Sequence, residues 1–474
     1  MYDLVVIGSG GAGFAAAIRA MGLGKRVAMV ERSTVGGTCV NTGCIPSKAL
    51  LAAAEARHTA HAAESRFPGI AAGAGPVDMP TLIAGKRGLV ERMRSEKYLD
   101  LIDDYGWDLV RGSAAFAGTP ERPLLDVTDD DGRRQTLEAH HYLVATGSAP
   151  WEPEVPGLAY VPYLTSTTAM ELQEVPESLL VVGGGYTAVE MAQLFARLGS
   201  SVTLLVRSRL LSQEEPEVSL ALAAVFKDEG IEVLRRAALT SVSVDPGTGA
   251  IVATAETGGT ARELRAEKLL IATGRRAVTE DLALGTVGVE TGPQGEVLVD
   301  GGLRSSNPRI WAAGDVTGHR EFVYVAAAHG ALVVDNAFSG ADRKVDYRHL
   351  PRVAFTSPAV AAVGLTDRQA NGEGTRCQCR VLPLEFVPRA LVNRDTRGFI
   401  KIVADDDTGR ILGLTAVGQD AGDLAAAGVY ILEAGMTVDQ VAGMWAPYLT
   451  MAEGIKIAAQ SYSTDVSRLS CCAI

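Results

Sequence analysis

The stretch DLVVIGSGGAGFAAAIRAMGLGKRVAMVE, residues 3–31, decides how the chain folds. Its opening DLVVIG carries a continuous apolar run, the pattern of a strand buried on both faces. Gly8, Gly10 and Gly13 follow at once in G-x-G-x-x-G spacing. FAAAIRAMGLG then reads as a helix, and RVAMVE as a second strand ending on Glu31, 18 residues beyond Gly13. The glycines permit a tight turn and let backbone N–H groups approach a pyrophosphate at the helix N-terminus. A carboxylate at the end of the second strand accepts hydrogen bonds from a ribose 2′-hydroxyl. Strand, turn, helix and acid together predict a dinucleotide site of the FAD or NAD type.

The pattern recurs at residues 179–207. LLVVGGG is a strand and turn, with Gly183, Gly185 and Ala188 in G-x-G-x-x-A spacing. VEMAQLFARLG is the helix and SVTLLVR the second strand. Here the strand ends in Arg207, with Arg209 close behind. An acid would repel a 2′-phosphate, whereas a guanidinium pairs with it, so this unit predicts NADPH. Tyr186 follows the last glycine. LVATGSAP (143–150) and LLIATGRRA (269–277) are strand-then-glycine segments closing the two units, and RIWAAGDVTG (309–318) is a strand leading to Asp315.

Composition narrows the function. At roughly 100–200 residues per domain, 474 residues suggest two to four domains. The formal net charge of −12, with no basic block, excludes a nucleic-acid or anionic-membrane binder. The first residues lack the basic start and small-residue cleavage site of a signal peptide, and no stretch of about 18 uncharged apolar residues predicts a membrane span. Six cysteines fall in three close pairs, Cys39/Cys44, Cys377/Cys379 and Cys471/Cys472, which in a cytoplasmic protein indicates redox or metal chemistry. Cys377 and Cys379, in GTRCQCRV, read as surface thiols on a strand or turn, with an accessory metal site as the alternative.

GGTCVNTGCIPSKALLAAAEA (36–56) puts Cys39 and Cys44 with four residues between them, before a helix expected to begin near Pro46. A helix N-terminus and Lys48 one turn in are expected to favour thiolate. This segment, with GSGGAG, the two ATG turns and AAGD, resembles the pyridine nucleotide–disulfide oxidoreductase family. The resemblance runs from Gly8 to the end of the chain. It implies an α/β architecture: two Rossmann-like domains, for FAD and NAD(P)H, and an α+β C-terminal dimerisation domain. On that pattern residues 1–150 are the first part of the FAD domain and 151–279 the NADPH domain. Residues 280–345 are the second part of the FAD domain, and 346–474 the dimerisation domain and tail.

The resemblance also implies roles. Cys44 is the thiolate beside the flavin and Cys39 the outer, exchanging thiol. Lys48 lies near the flavin and pairs with Glu190. Asp315 meets the ribityl and pyrophosphate region, and Val323 packs by the isoalloxazine. Gly37, Thr38, Ala114, Thr146 and Gly147 join the FAD set. Gly274 joins the cofactor-binding set, and Tyr186 is a lid over the nicotinamide.

The chain departs from the disulfide-reducing members at one point. Their C-terminal HPTxxE motif supplies a histidine that protonates the substrate's leaving thiolate. Here the stretch is APYLTMAEG (446–454): Glu453 keeps the acid, and Tyr448 replaces the histidine. A phenol with an ordinary pKa of about 10 is a poor proton shuttle at neutral pH. Reducing a metal ion needs no such acid; it needs soft ligands, and Hg(II) is satisfied by two thiolates. The tail LSCCA and the stretch PYLTMAEG resemble the members that reduce Hg(II). That implies a homodimer with shared sites, in which Cys471 and Cys472 of one subunit collect Hg(II) from a thiol complex. They pass it to Cys39 and Cys44 of the other, with Tyr448 and Tyr163 lining the site. Rival readings are a dihydrolipoamide dehydrogenase-like or thioredoxin reductase-like enzyme, which the missing histidine opposes, and a flavoprotein that only buffers metal, which the intact CVNTGC opposes.

Overall fold

The computed structural model describes residues 1–468, so Cys471 and Cys472 lie outside the described residues. The chain divides into two compact units, each assembled from three separate segments.

The first unit comprises residues 1–49, 80–152 and 274–345. Its centre is a five-stranded parallel sheet in the order Ile310–Ala312, Ala139–Val144, Tyr2–Ile7, Val27–Glu31, Asp108–Arg111. Val27–Glu31 is buried at every position, as a parallel strand covered on both faces must be. The opening stretch forms as its pattern predicts: strand Tyr2–Ile7, helix Gly11–Gly22, strand Val27–Glu31. Helix Val323–Ser339 packs against Gly11–Gly22 so closely that a Cβ on Gly330 would lie 2.1 Å from the Ala12 carbonyl oxygen. Tyr142 and Trp311 are fully buried in the core, and the Tyr142 hydroxyl donates to the Pro123 carbonyl at 2.8 Å. Each large apolar side chain buried here contributes about 1.5–3 kcal/mol.

The second unit comprises residues 50–79, 153–273 and 346–474. It repeats the parallel arrangement in four strands, ordered Glu232–Arg235, Ser201–Val206, Ser178–Val182, Lys268–Ile271, with helix Tyr186–Leu198 following the glycine turn. Its C-terminal segment adds a five-stranded antiparallel sheet in the order Arg352–Ala354, Ala359–Gly364, Ile411–Gly418, Phe399–Asp405, Cys377–Pro383. Helices Ala421–Glu433, Val438–Ala442 and Glu453–Gln460 share a core with that sheet. A mixed α/β fold with two dinucleotide-type sheets and an α+β segment is the fold class the sequence predicts. Among the described residues, no helix is long and apolar enough to cross a membrane.

Candidate active site

The glycine turn of the first unit is built around one open face. Gly8 has φ +101°, and a Cβ there would lie 2.5 Å from the Ala145 carbonyl oxygen; one on Gly13 would lie 2.2 Å from the Gly8 carbonyl oxygen. Both glycines close the backbone on itself. Gly10 differs: it caps helix Gly11–Gly22 in extended conformation, and the nearest atom to its would-be Cβ is the Gly37 Cα at 4.0 Å. Gly37, at φ +64°, faces Gly10 across that space. Unsatisfied helix N–H groups and bare backbone thus meet where a pyrophosphate would lie.

Glu31 ends its strand 8 % exposed. Its Oε2 accepts from the Ser9 hydroxyl at 2.5 Å and the Ser9 N–H at 3.1 Å, and its Oε1 from the Ser33 N–H at 2.8 Å. Sequence reading found the acid but missed the serines; Ser9, inside the glycine motif itself, was the available signal. A cleft at the carboxyl ends of the parallel strands is lined by Gly8, Glu31, Ala114, Thr146, Thr279 and Asp281, where open α/β sheets bind their ligands. Thr146 donates to the Val278 carbonyl at 2.7 Å, and the neighbouring Gly147 has φ +69°. Asp315 accepts from the Ser148 hydroxyl at 2.7 Å, and Arg275 donates to that hydroxyl at 2.7 Å. Nearby Glu321 has its carboxyl held above its ordinary range, by burial first and then by the charge of Asp315. Val323 begins its helix 39 % exposed. Glycine cradle, acid and cleft fit an FAD.

Cys39 sits in the short helix Gly37–Asn41, where Thr38 also lies, and Cys44 is the first residue of helix Cys44–Arg66. That helix begins two residues earlier than expected: Ser47 N–H bonds the Gly43 carbonyl, and Pro46 falls in the first turn, where its missing donor costs nothing. Neither thiol is joined in a disulfide, and both are partly buried. The expectation that the helix terminus and Lys48 depress both thiols needs correction for Cys39. Its thiol is pushed well up by a hydrogen bond with Cys44, by burial and by the charge on Cys44, with Lys48 pulling the other way. Two thiols in contact cannot both ionise cheaply.

In the second unit, Gly183 has φ +140°, and a Cβ there would lie 2.2 Å from the Ala272 carbonyl oxygen, while Gly185 caps helix Tyr186–Leu198 with nothing within 4 Å of its would-be Cβ. Gly274, in the first unit, is likewise open, at φ +123°. Arg207 is exposed just beyond strand Ser201–Val206. Arg209 turns inward instead, donating to the Ser212 and Glu214 carbonyls at 2.9 and 2.8 Å. The Tyr186 hydroxyl donates to Glu214 Oε1 at 2.6 Å, and Arg352 grips the same buried carboxylate at 2.7 and 3.0 Å. Glu190 is 5 % exposed and accepts from the Phe355 N–H at 2.9 Å. Tyr163 is half-buried against the core of this unit. Tyr448 is 55 % exposed. Glu453 is 4 % exposed, its Oε2 has no hydrogen-bond partner among the described residues, and burial raises its pKa.

Two dinucleotide cradles and a C-x-x-x-x-C thiol pair define a flavin- and nicotinamide-dependent oxidoreductase, and the chain belongs to the pyridine nucleotide-disulphide oxidoreductase family: residues 2–330 match that family and residues 350–459 its dimerisation domain. Over 472 residues it is 58 % identical to the protein named mercuric reductase from Streptomyces lividans, covering all of this chain and 98 % of that one. Mercuric reductases from Staphylococcus aureus and Bacillus cereus are 45 % and 46 % identical over the whole of this chain, which covers 84 % and 73 % of theirs. The solved structure of the HOCl-induced flavoprotein disulfide reductase RclA from Escherichia coli, a Cu(II) complex, superposes with a TM-score of 0.86 at 28 % identity, covering 98 % of this chain and 99 % of that one.

Proposed function

We propose that the chain is an NADPH-dependent reductase that converts Hg(II) to Hg(0) and acts in mercury detoxification as a cytoplasmic homodimer. The observation that carries this reading is the tyrosine and buried glutamate of the C-terminal motif. Tyr448 stands where disulfide-reducing members of the family hold a histidine, and the Glu453 carboxylate that would orient it is buried, one oxygen having no hydrogen-bond partner among the described residues. A chain so altered is unsuited to protonating a leaving thiolate, and full-length relatives bearing the name mercuric reductase support the metal as substrate instead.

Gly8, Gly10, Gly13, Gly37, Glu31 and Asp315 would hold an FAD, whose chemistry when bound is to carry an electron pair from the nicotinamide to the bound metal. Gly183, Gly185 and Arg207 would hold NADPH, Arg207 reading the 2′-phosphate while Arg209 shapes the loop. Hg(II) enters as a thiol complex. Cys471 and Cys472 of one subunit collect it and Cys44 and Cys39 of the other take it over by ligand exchange. Each incoming chain sulfur displaces one outgoing sulfur, and its proton goes to the thiolate that leaves. Lys48 favours the anionic form of the pair. Overall, NADPH and Hg(II) give NADP⁺, H⁺ and Hg(0).

The test is NADPH oxidation by the purified flavoprotein with Hg(II) in excess small thiol, beside lipoamide, glutathione disulfide and thioredoxin. Mercury-dependent oxidation with release of volatile Hg(0) is expected. Turnover of a disulfide with mercury acting only as an inhibitor would overturn the reading.

A further inference from the structure

The Cys377/Cys379 pair belongs to the C-terminal segment of the second unit. Cys377 and Cys379 open strand Cys377–Pro383, which among the described residues forms the edge of the C-terminal sheet and pairs with Phe399–Asp405. Residues two apart on a strand share a face, and the two Sγ atoms stand 3.8 Å apart. Both side chains are half-buried. The strand beneath them is fixed. Tyr462 donates to the Gln378 and Ile402 carbonyls at 3.0 and 2.8 Å, and Arg380 lies over its ring at 5.1 Å.

Nearby charges are already committed. Lys401, 1 % exposed, holds Glu217 and Asp367 at 2.9 Å and Glu215 at 3.1 Å. Among the described residues, the Asp367 backbone carbonyl is turned to Cys377, at 3.9 Å. Among the described residues, no three or more His, Cys, Asp or Glu side chains are grouped to hold a metal. Among the described residues the site therefore offers two sulfurs and no third strong donor.

We infer that Cys377 and Cys379 form a second binding site, for a soft metal ion that accepts linear two-coordinate thiolate ligation, such as Hg(II). Tetrahedral ions such as Zn(II) need four donors and are excluded by the count. Two metal–sulfur bonds of about 2.3 Å laid end to end span about 4.6 Å, so the sulfurs need to part by less than an ångström. A disulfide would instead need them to close to about 2 Å, across residues whose Cα atoms in a strand are roughly 6.6 Å apart, near the upper limit for that bond. Binding is ligand exchange without electron transfer. Two small thiolates leave the incoming ion, the two cysteine sulfurs replace them, and the two cysteine protons pass to the leaving thiolates. Burial, with its contact with Cys377, pushes the Cys379 thiol up to about 12.

The test uses the full chain with Cys39, Cys44, Cys471 and Cys472 replaced by alanine, and with no NADPH, so its outcome is independent of the proposed reductase activity. After exposure to one equivalent of Hg(II) and gel filtration in about 10 µM glutathione, one Hg(II) per chain is expected to remain. That thiol level is far below the roughly millimolar effective concentration a short link gives the second sulfur. Both thiols should resist alkylation together, and Cys377→Ser should abolish retention. Two independently alkylatable thiols, two Hg(II) per chain, or equal retention of Zn(II) would overturn the inference. Should the four-alanine chain fail to fold, wild type is compared with Cys377→Ser/Cys379→Ser, both loaded with FAD. Mercury retained by the oxidoreductase should fall by one ion per chain with turnover unchanged, and undiminished retention would overturn the inference.

Discussion

Replacing Gly10 by alanine separates the cofactor cradle from the fold that builds it. Gly10 lies at φ −79° and ψ −172°, a conformation alanine adopts without strain, and the added Cβ meets nothing closer than Gly37 Cα at 4.0 Å. Weaker helix capping and reduced freedom of the unfolded chain act in opposite directions, each by less than about 1 kcal/mol. The cofactor-free protein should therefore melt almost as wild type does. The methyl, however, occupies the gap between Gly10 and Gly37 where the pyrophosphate is expected to lie. Loss of one hydrogen bond to a charged phosphate costs about 1.5–3 kcal/mol, which is roughly a ten- to hundredfold rise in the FAD dissociation constant. Titration of the cofactor-free protein, followed by flavin fluorescence, reads the binding, and thermal melting of the same sample reads the fold. Gly37→Ala is the contrast: φ is +64° and its Cβ would lie 2.6 Å from the Gly10 Cα, so that variant should lose stability before cofactor is added. Wild-type FAD affinity in a normally folded Gly10→Ala protein would refute the placement of the pyrophosphate.

Cys44→Ser should abolish Hg(II) turnover while the protein stays yellow, and normal turnover would remove the pair from the mechanism. Arg207→Glu should raise the NADPH Michaelis constant about tenfold or more, by loss of a charge-assisted contact, and improve relative use of NADH; an unchanged ratio of the two cofactors would mean another group reads the 2′-phosphate. Replacing Cys471 and Cys472 by alanine should slow turnover of bulky mercury dithiolates far more than of small mercury complexes, and equal losses would end the hand-over idea. Arg197 is buried between Glu55 and Glu229, at 2.6 Å from Glu229, so Arg197→Ala should cost about 3–5 kcal/mol of unfolding free energy. Burial alone would raise the Glu229 pKa, but Arg197 overrides it and the value is lowered. The resulting stability is fully present above the unfolded carboxylate value of about 4.3 and is lost as pH falls through the lower folded value. Melting against pH should show that acid-sensitive increment in wild type, reduced in the variant.

Much of the fold was legible because it is written in contiguous residues. The turns at Gly8–Gly13 and Gly183–Ala188 are dictated by backbone geometry that only a few residue types tolerate, and an apolar run before each fixes a strand. Cys39, Cys44 and Lys48 are likewise a local arrangement, whereas for the C-x-C pair the sequence left a surface strand or a turn open and the structure gives a strand. What escaped the sequence joins distant residues. The Ser148–Asp315 bond spans 167 positions and the Glu214–Arg352 pair 138, and no local pattern announces either.

The sequence by itself thus determined the two dinucleotide cradles, the thiol pairs and the tyrosine at position 448 of the C-terminal motif, since each depends on residue type at short spacing. Tertiary structure alone decided that Gly10 keeps an open face while Gly8 and Gly13 are walled in, that Arg209 is spent on its own loop while Arg207 faces solvent, and that Cys39 holds its proton against Cys44. Those outcomes follow from which groups packing brings within a few ångströms, where sterics, hydrogen bonding and desolvation act, and the linear order of residues does not encode that distance.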